Sequence, residues 1–148
     1  MKDLTTWFSL YGESHRHPLN QAIHRVAVPG IYLCSIGLLR ELPWAPARLD
    51  WALLMAIPVL LFYLYLSFRL FLGMGLLTAA GLWSWQQLGA GGYAWPLALL
   101  LFALFWVAQF IGHRHEGRRP AFLTDLQFLL IGPLWVLAGL YRRLHIPY

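Results

Sequence analysis

Residues 70–112 contain not one Asp, Glu, Lys or Arg, and residues 51–68 contain none either. A helix rises about 1.5 Å per residue, so roughly 20 apolar residues cross the hydrocarbon layer of a bilayer. The longer stretch has room for two such crossings. A chain with so uneven a charge distribution has too little polar surface to coat a globule in water. Composition agrees, with 59% hydrophobic and 11% charged residues, against about 45–50% and about 25% in soluble domains. The 148 residues are therefore expected to form one membrane-embedded domain.

The formal net charge is +5, nearly all of the positive side from arginine. These arginines stand singly or in pairs at the ends of apolar runs, which suits anchoring to anionic headgroups. Nucleic-acid binding would need a basic face or an aromatic-basic ribbon, and neither is present. The single cysteine, Cys34, lies in an apolar run, which leaves no disulfide and no thiolate metal site. The first ten residues lack a signal-length apolar core and read as mature protein.

The expected fold class is all-α, a polytopic helical bundle with four to five spans and an N-terminal interfacial helix. Leu4–Ser14 reads as that interfacial helix, with Trp7, Phe8 and Tyr11 as headgroup-level aromatics. Pro18 ends it, and Asn20 is the expected N-cap of the next helix. The first span is placed near Val28–Leu39, bent at Pro29-Gly30. Arg40–Asp50 is a loop. Trp51–Phe68 and Leu70–Gln87 are the second and third spans, with Arg69 at their turn, and Gly89–Tyr93 is another turn. Trp95–Gly112 is the fourth span. His113–Pro120 is a basic loop, and Leu123–Tyr141 is a fifth apolar stretch that spans or re-enters, with Asp125 as a helix-start charge or a partner for an arginine. In these terms residues 1–24 are the interfacial helix and first histidine motif, 25–112 the four spans, 113–122 the second motif, and 123–148 the last helix and tail. Gly73, Gly75 and Gly81 are expected to permit close helix packing.

Five of the six histidines fall in two patches at membrane boundaries: His15, His17 and His24, then His113 and His115. Four crossings separate His24 from His113, and an even number returns both to one face. Placing that face inside puts Lys2, Arg16, Arg25, Arg69, Arg114, Arg118 and Arg119 there and Arg40, Arg48, Arg142 and Arg143 outside, in the positive-inside sense. Pro18 lets His15 and His24 turn inward together. Asn20 and His24 share a helix face, and Gln109, His113 and Glu116 form one polar stripe at i, i+4, i+7. His15, His24 and His113 are then candidate ligands of one metal, with Glu116 as a fourth ligand or an acceptor for an imidazole N–H. Nitrogen ligands with a carboxylate nearby suit non-haem Fe(II); zinc accepts the same set. Arg118 and Arg119 stand at the mouth of this site, placed to grip a substrate carboxylate or a lipid headgroup. His17, His115, His145 and the many aromatics carry no assigned chemistry.

The segment Tyr11–His24 (YGESHRHPLNQAIH), followed by Val28-Pro29, resembles the N-terminal motif of a family of small membrane proteins whose fungal member is a 2-hydroxy-fatty-acid dioxygenase of phytosphingosine breakdown. Gln109–Phe122 (QFIGHRHEGRRPAF), followed by Leu123–Leu137, resembles its second motif. The resemblance implies an Fe(II)-dependent α-oxidation in which dioxygen and a 2-hydroxy acid give the acid one carbon shorter. It places the family's histidines on His15, His24 and His113, and it also matches Asn20 and Glu116. Expected partners are the 2-hydroxy fatty acid, dioxygen and membrane lipid, with no nucleic acid; an oligomer is possible but not indicated. The expected location is an integral one, in a bacterial inner membrane or the endoplasmic reticulum, with the histidine motifs cytoplasmic. The alternatives are a non-enzymatic membrane protein (a small transporter or assembly factor) and a zinc-dependent membrane hydrolase. A transporter would carry polar ligands deep in its spans, whereas the deep positions here are apolar.

Overall fold

The computed structural model describes residues 2–43, 50–89, 91–123 and 125–148. Among these residues the chain forms six α-helices and no strand: α1 (Leu4–Glu13), α2 (Pro18–Arg40), α3 (Trp51–Leu66), α4 (Phe68–Gly89), α5 (Ala94–Glu116) and α6 (Phe128–Arg143), with a 3-10 turn at Ala121–Leu123 before α6. Most of the expected Arg40–Asp50 loop, including Arg48, lies outside the described residues, as does Ala90 of the expected Gly89–Tyr93 turn.

Local chemistry sets the helix ends. Asp3 caps α1 by accepting from Thr6 N at 2.8 Å, and Asp50 caps α3 by accepting from Leu53 N at 2.9 Å. The cap of α2 differs from expectation. His17 holds that position, its Nδ1 accepting from Leu19 N at 3.2 Å, with Pro18 in the first turn, where its missing N–H is no loss. Asn20 therefore sits inside the helix, buried. Helix α2 also runs through Pro29 without ending. The α3–α4 turn falls on Ser67, in extended conformation, so Arg69 belongs to the first turn of α4. Helix α5 continues past His113 to Glu116, where the expectation had a loop. It stops at Gly117, whose φ of 70° is left-handed; a side chain there would cost about 1–2 kcal/mol.

Two helices, α2 and α5, are long and apolar enough to cross a membrane. The expected four to five spans are not supported. Helices α3 and α6 have 16 residues each, a rise of about 24 Å, short of a ~30 Å hydrocarbon layer. Helix α4 has the length but carries Arg69 in its first turn and Trp-Ser-Trp-Gln-Gln close to its end. Large apolar side chains nevertheless face outward along α3, α4 and α5, among them Leu61, Leu76, Trp83, Leu100 and Val107.

The longest helix pair, α2 and α5, forms the spine of the bundle, with the α3–α4 hairpin beside it and α1 and α6 across the histidine end. Close approach is obtained with small residues. A Cβ on Gly30 would collide with the Phe105 ring, and one on Gly37 would lie 2.6 Å from the Trp85 indole. That indole donates Nε1–H to Leu33 O at 2.7 Å. Of the glycines expected to serve packing in α4, Gly73 meets Leu137 and Tyr141 and Gly81 meets Leu33 and Ile36, while Gly75 faces open space. One buried cluster (Cys34, Ile36, Ala52, Trp85, Ala94, Ala98) fills the end of the bundle away from the histidines. Another (Trp7, Tyr11, Ala121, Phe128, Ile131) fastens α1 to α6. Trp7 and Tyr11 are thus core residues, not the headgroup-level aromatics expected, because α1 lies under α6. Gly37→Val should destabilise the fold by about 1–3 kcal/mol through overpacking against Trp85, read as a lower thermal midpoint in detergent. An unchanged midpoint would show that this approach is not tight.

Candidate metal centre

His15 lies in the link between α1 and α2, His24 in the second turn of α2 and His113 in the last full turn of α5. All three are buried. Their ring centroids lie 4.4 Å (His15–His24), 4.8 Å (His24–His113) and 5.0 Å (His15–His113) apart, with interplanar angles of 73°, 88° and 71°. Three imidazoles that close and that nearly perpendicular point at a common centre instead of stacking.

Hydrogen bonds determine which nitrogen faces that centre. His15 Nδ1 lies 2.6 Å from Tyr11 O, and His24 Nδ1 lies 2.9 Å from Asn20 O. A carbonyl only accepts, so in each ring Nδ1 carries the proton and Nε2 keeps its lone pair. Those two Nε2 atoms, and Nδ1 of His113, are buried without a hydrogen-bond partner. Buried polar atoms without partners cost about 1–3 kcal/mol each, so three converging on one point call for an occupant. One potential ligand atom from each histidine lies within 4.8 Å of the others. At a metal–nitrogen bond of about 2.1 Å, two nitrogens on one ion stand at most about 4.2 Å apart, and small ring rotations close that difference. The three residues can hold a metal ion, and neutral imidazole suits a first-row divalent ion of several kinds.

Burial holds the His15 imidazole below its ordinary protonation range, opposed by the Tyr11 carbonyl and the Glu116 carboxylate. The Tyr11 ring stacks on His15 at 4.0 Å and 13°. Sequence reasoning assigned Tyr11 to the membrane surface and missed this role; the i, i+4 spacing from Tyr11 to His15 was the signal available.

Glu116 does not join the three histidines. Its Oε1 accepts from Arg16 N at 2.9 Å, and its Oε2 accepts from His17 N at 2.8 Å and Asn20 Nδ2 at 3.1 Å. The expected ligand, or acceptor for an imidazole, is instead a clip that fastens the α1–α2 link to the end of α5. Asn20 Nδ2 also donates to Ser14 O at 3.1 Å, and Gly112 makes room for its amide, since a Cβ there would lie 2.5 Å from Asn20 Oδ1.

A cavity of about 270 Å³ opens from His15 and His113 and runs between α2, α3, α5 and α6. Its wall is mostly apolar, with Trp106 and Phe122 meeting edge to face at 5.0 Å and Phe128 lying 6.0 Å from the Tyr11 ring. Gln109 is buried on this wall, and its Oε1 has no partner. Arg118 and Arg119 do not line it. They border an adjoining surface depression with Lys2, Glu13, Ser14 and Asp125, which shares Ala121 and Phe128 with the cavity wall. Asp125 pairs with Lys2 at 3.4 Å, not with an arginine. The exposed rings of His17 and His115 lie 6.2 Å apart, outside the buried trio.

A family model described as 2-hydroxy-palmitic acid dioxygenase Mpo1-like matches residues 1–144. No curated protein and no solved structure matches the chain.

Glu116→Ala should lower stability by about 1.5–3 kcal/mol, the range for hydrogen bonds to a charged group, and weaken metal retention by releasing His15. Equal metal binding in both proteins would mean the clip does not hold the link. The metal-free protein should also respond to acid in a defined direction. Because folded His15 resists protonation, its contribution is neutral above the unfolded value of about 6.5 and destabilising below it. Thermal midpoints should therefore fall as pH drops below that value, and a rise would contradict the burial argument.

Proposed function

This chain belongs to the 2-hydroxy-palmitic acid dioxygenase Mpo1-like family, and from that premise we propose that it is a membrane-embedded, Fe(II)-dependent dioxygenase of 2-hydroxy fatty acids. The observation that carries the reading is the set of three buried, partnerless imidazole nitrogens at one end of an apolar cavity. The overall conversion balances as one 2-hydroxy acid plus dioxygen giving the acid one carbon shorter, carbon dioxide and water.

His15, His24 and His113 would hold the iron, which when bound supplies the redox chemistry that lets dioxygen react with the acid. Three neutral ligands leave the charge of a divalent ion uncompensated, which favours an anionic substrate head bearing a carboxylate. The Tyr11 and Asn20 carbonyls keep the His15 and His24 rings in the tautomer that exposes Nε2. Glu116 acts as a positioning residue, through the α1–α2 link. The Gln109 amide, beside His113 on the cavity wall, is the polar group placed to contact the substrate hydroxyl or carboxylate. The Tyr11 and Trp135 rings, 4.0 Å and 5.8 Å from the His15 ring, keep water from the reacting end. Arg118 and Arg119, with Lys2, suit an anionic headgroup at the surface and do not reach into the cavity. In the membrane, α2 and α5 cross, and the histidine end with its cluster of arginines faces the cytoplasm.

Full-length protein in nanodiscs should carry stoichiometric iron and consume oxygen with 2-hydroxypalmitate. His24→Ala and His113→Ala should lose both the iron and the uptake. Stoichiometric zinc without oxygen uptake would replace this reading with a hydrolase.

A further inference from the structure

The cavity has a measurable reach. Its lining along α2 runs from Val28 to Leu39, and along α5 from His113 back to Phe102. Each path is eleven helical steps, about 16 Å at the rise of an α-helix. Half of a ~30 Å hydrocarbon layer is about 15 Å, so the cavity is as deep as the space one lipid chain occupies in one leaflet. The histidines stand at one end. The other end is closed, because Ile36 and Ala52 line the cavity and also belong to the buried cluster packed with Leu39 and Phe102.

The rim is apolar as well. Met55 on α3 and Leu129 on α6 line the cavity yet are 43% and 41% exposed. Helix α5 packs chiefly on α2, which leaves the side between α3, α5 and α6 open. An opening edged by Met and Leu admits a hydrocarbon from lipid more readily than a solute from water.

We propose that the cavity is an acyl-chain ruler, in which the headgroup lies at the histidines, the chain runs along α2, and Ala52 with Phe102 sets the longest chain that fits. The inference rests on the fatty-acid reading above and adds the residues that decide chain length. Ala52 is the sensitive position. It is 3% exposed and has the smallest side chain at the closed end, so any larger residue must project into the chain's path or displace the cluster behind it.

The test is equilibrium binding under anaerobic conditions, in nanodiscs, with 2-hydroxydecanoate, 2-hydroxypalmitate and 2-hydroxylignocerate. Mass spectrometry reads the retained acid, and metal analysis of the same samples reports an intact histidine end. Wild type should prefer 2-hydroxypalmitate. Ala52→Phe should weaken 2-hydroxypalmitate about tenfold or more relative to 2-hydroxydecanoate; each CH₂ left unburied forfeits about 0.8 kcal/mol. Phe102→Ala, which enlarges the same end and carries no overpacking risk, should move preference toward 2-hydroxylignocerate. An unchanged length ranking in both variants, with metal retained, would overturn the ruler and leave the proposed activity standing. Failure of wild type to bind any of the three acids would overturn both.

Discussion

The candidate metal centre depends on one carboxylate that does not belong to it. Glu116 receives two consecutive backbone N–H groups, from Arg16 and His17, together with the Asn20 amide. Those N–H groups precede the first turn of α2, where no helical carbonyl is available to them. A negative charge at that place is favoured both by the hydrogen bonds and by the positive end of the helix dipole. It works beside the Asn20 and Gln21 amides, which donate to Ser14 O and His15 O, in fixing the four residues between α1 and α2, and His15 is one of the four. The last turn of α5 therefore sets the position of a side chain a hundred residues away.

The α2–α5 contact makes that arrangement possible. His24 and His113 approach because the helix axes do, and the axes approach because Gly30 and Gly112 leave no Cβ in the way. At Gly112 the vacated space is taken by the Asn20 side chain, whose amide reaches both Glu116 and the Ser14 carbonyl. Close packing of helices, orientation of imidazoles and shape of the cavity are one problem in this protein. A side chain that separates α2 from α5 alters all three.

The helical nature of the chain was readable from its uncharged stretches, and the two histidine patches were readable from their placement at the ends of apolar runs. Span number was not readable. Hydropathy reports how apolar a segment is. The break between α3 and α4 was legible to within two residues, at Arg69 instead of Ser67, whereas the length of α3 and α6, only 16 residues each, was not. Polar spacing identified Gln109, His113 and Glu116 as one stripe. It did not reveal that Glu116 points at backbone donors, because backbone groups leave no trace in the residue pattern. Tyr11 was misplaced for a related reason: an aromatic at a membrane boundary looks the same whether it meets headgroups or a histidine ring. Arg118 and Arg119 were placed by proximity in sequence, and they border the depression that adjoins the cavity instead of lining the cavity itself.

That three-histidine cluster gathers groups from the beginning and the far end of the polypeptide. A ribosome delivers His15 and His24 early and His113 only after α3, α4 and nearly all of α5 have been made. No ion can be held by the full set during most of synthesis. Any ion that needs all three can enter only once α5 is in place, and a chain truncated before His113 would present a pair of imidazoles with no third.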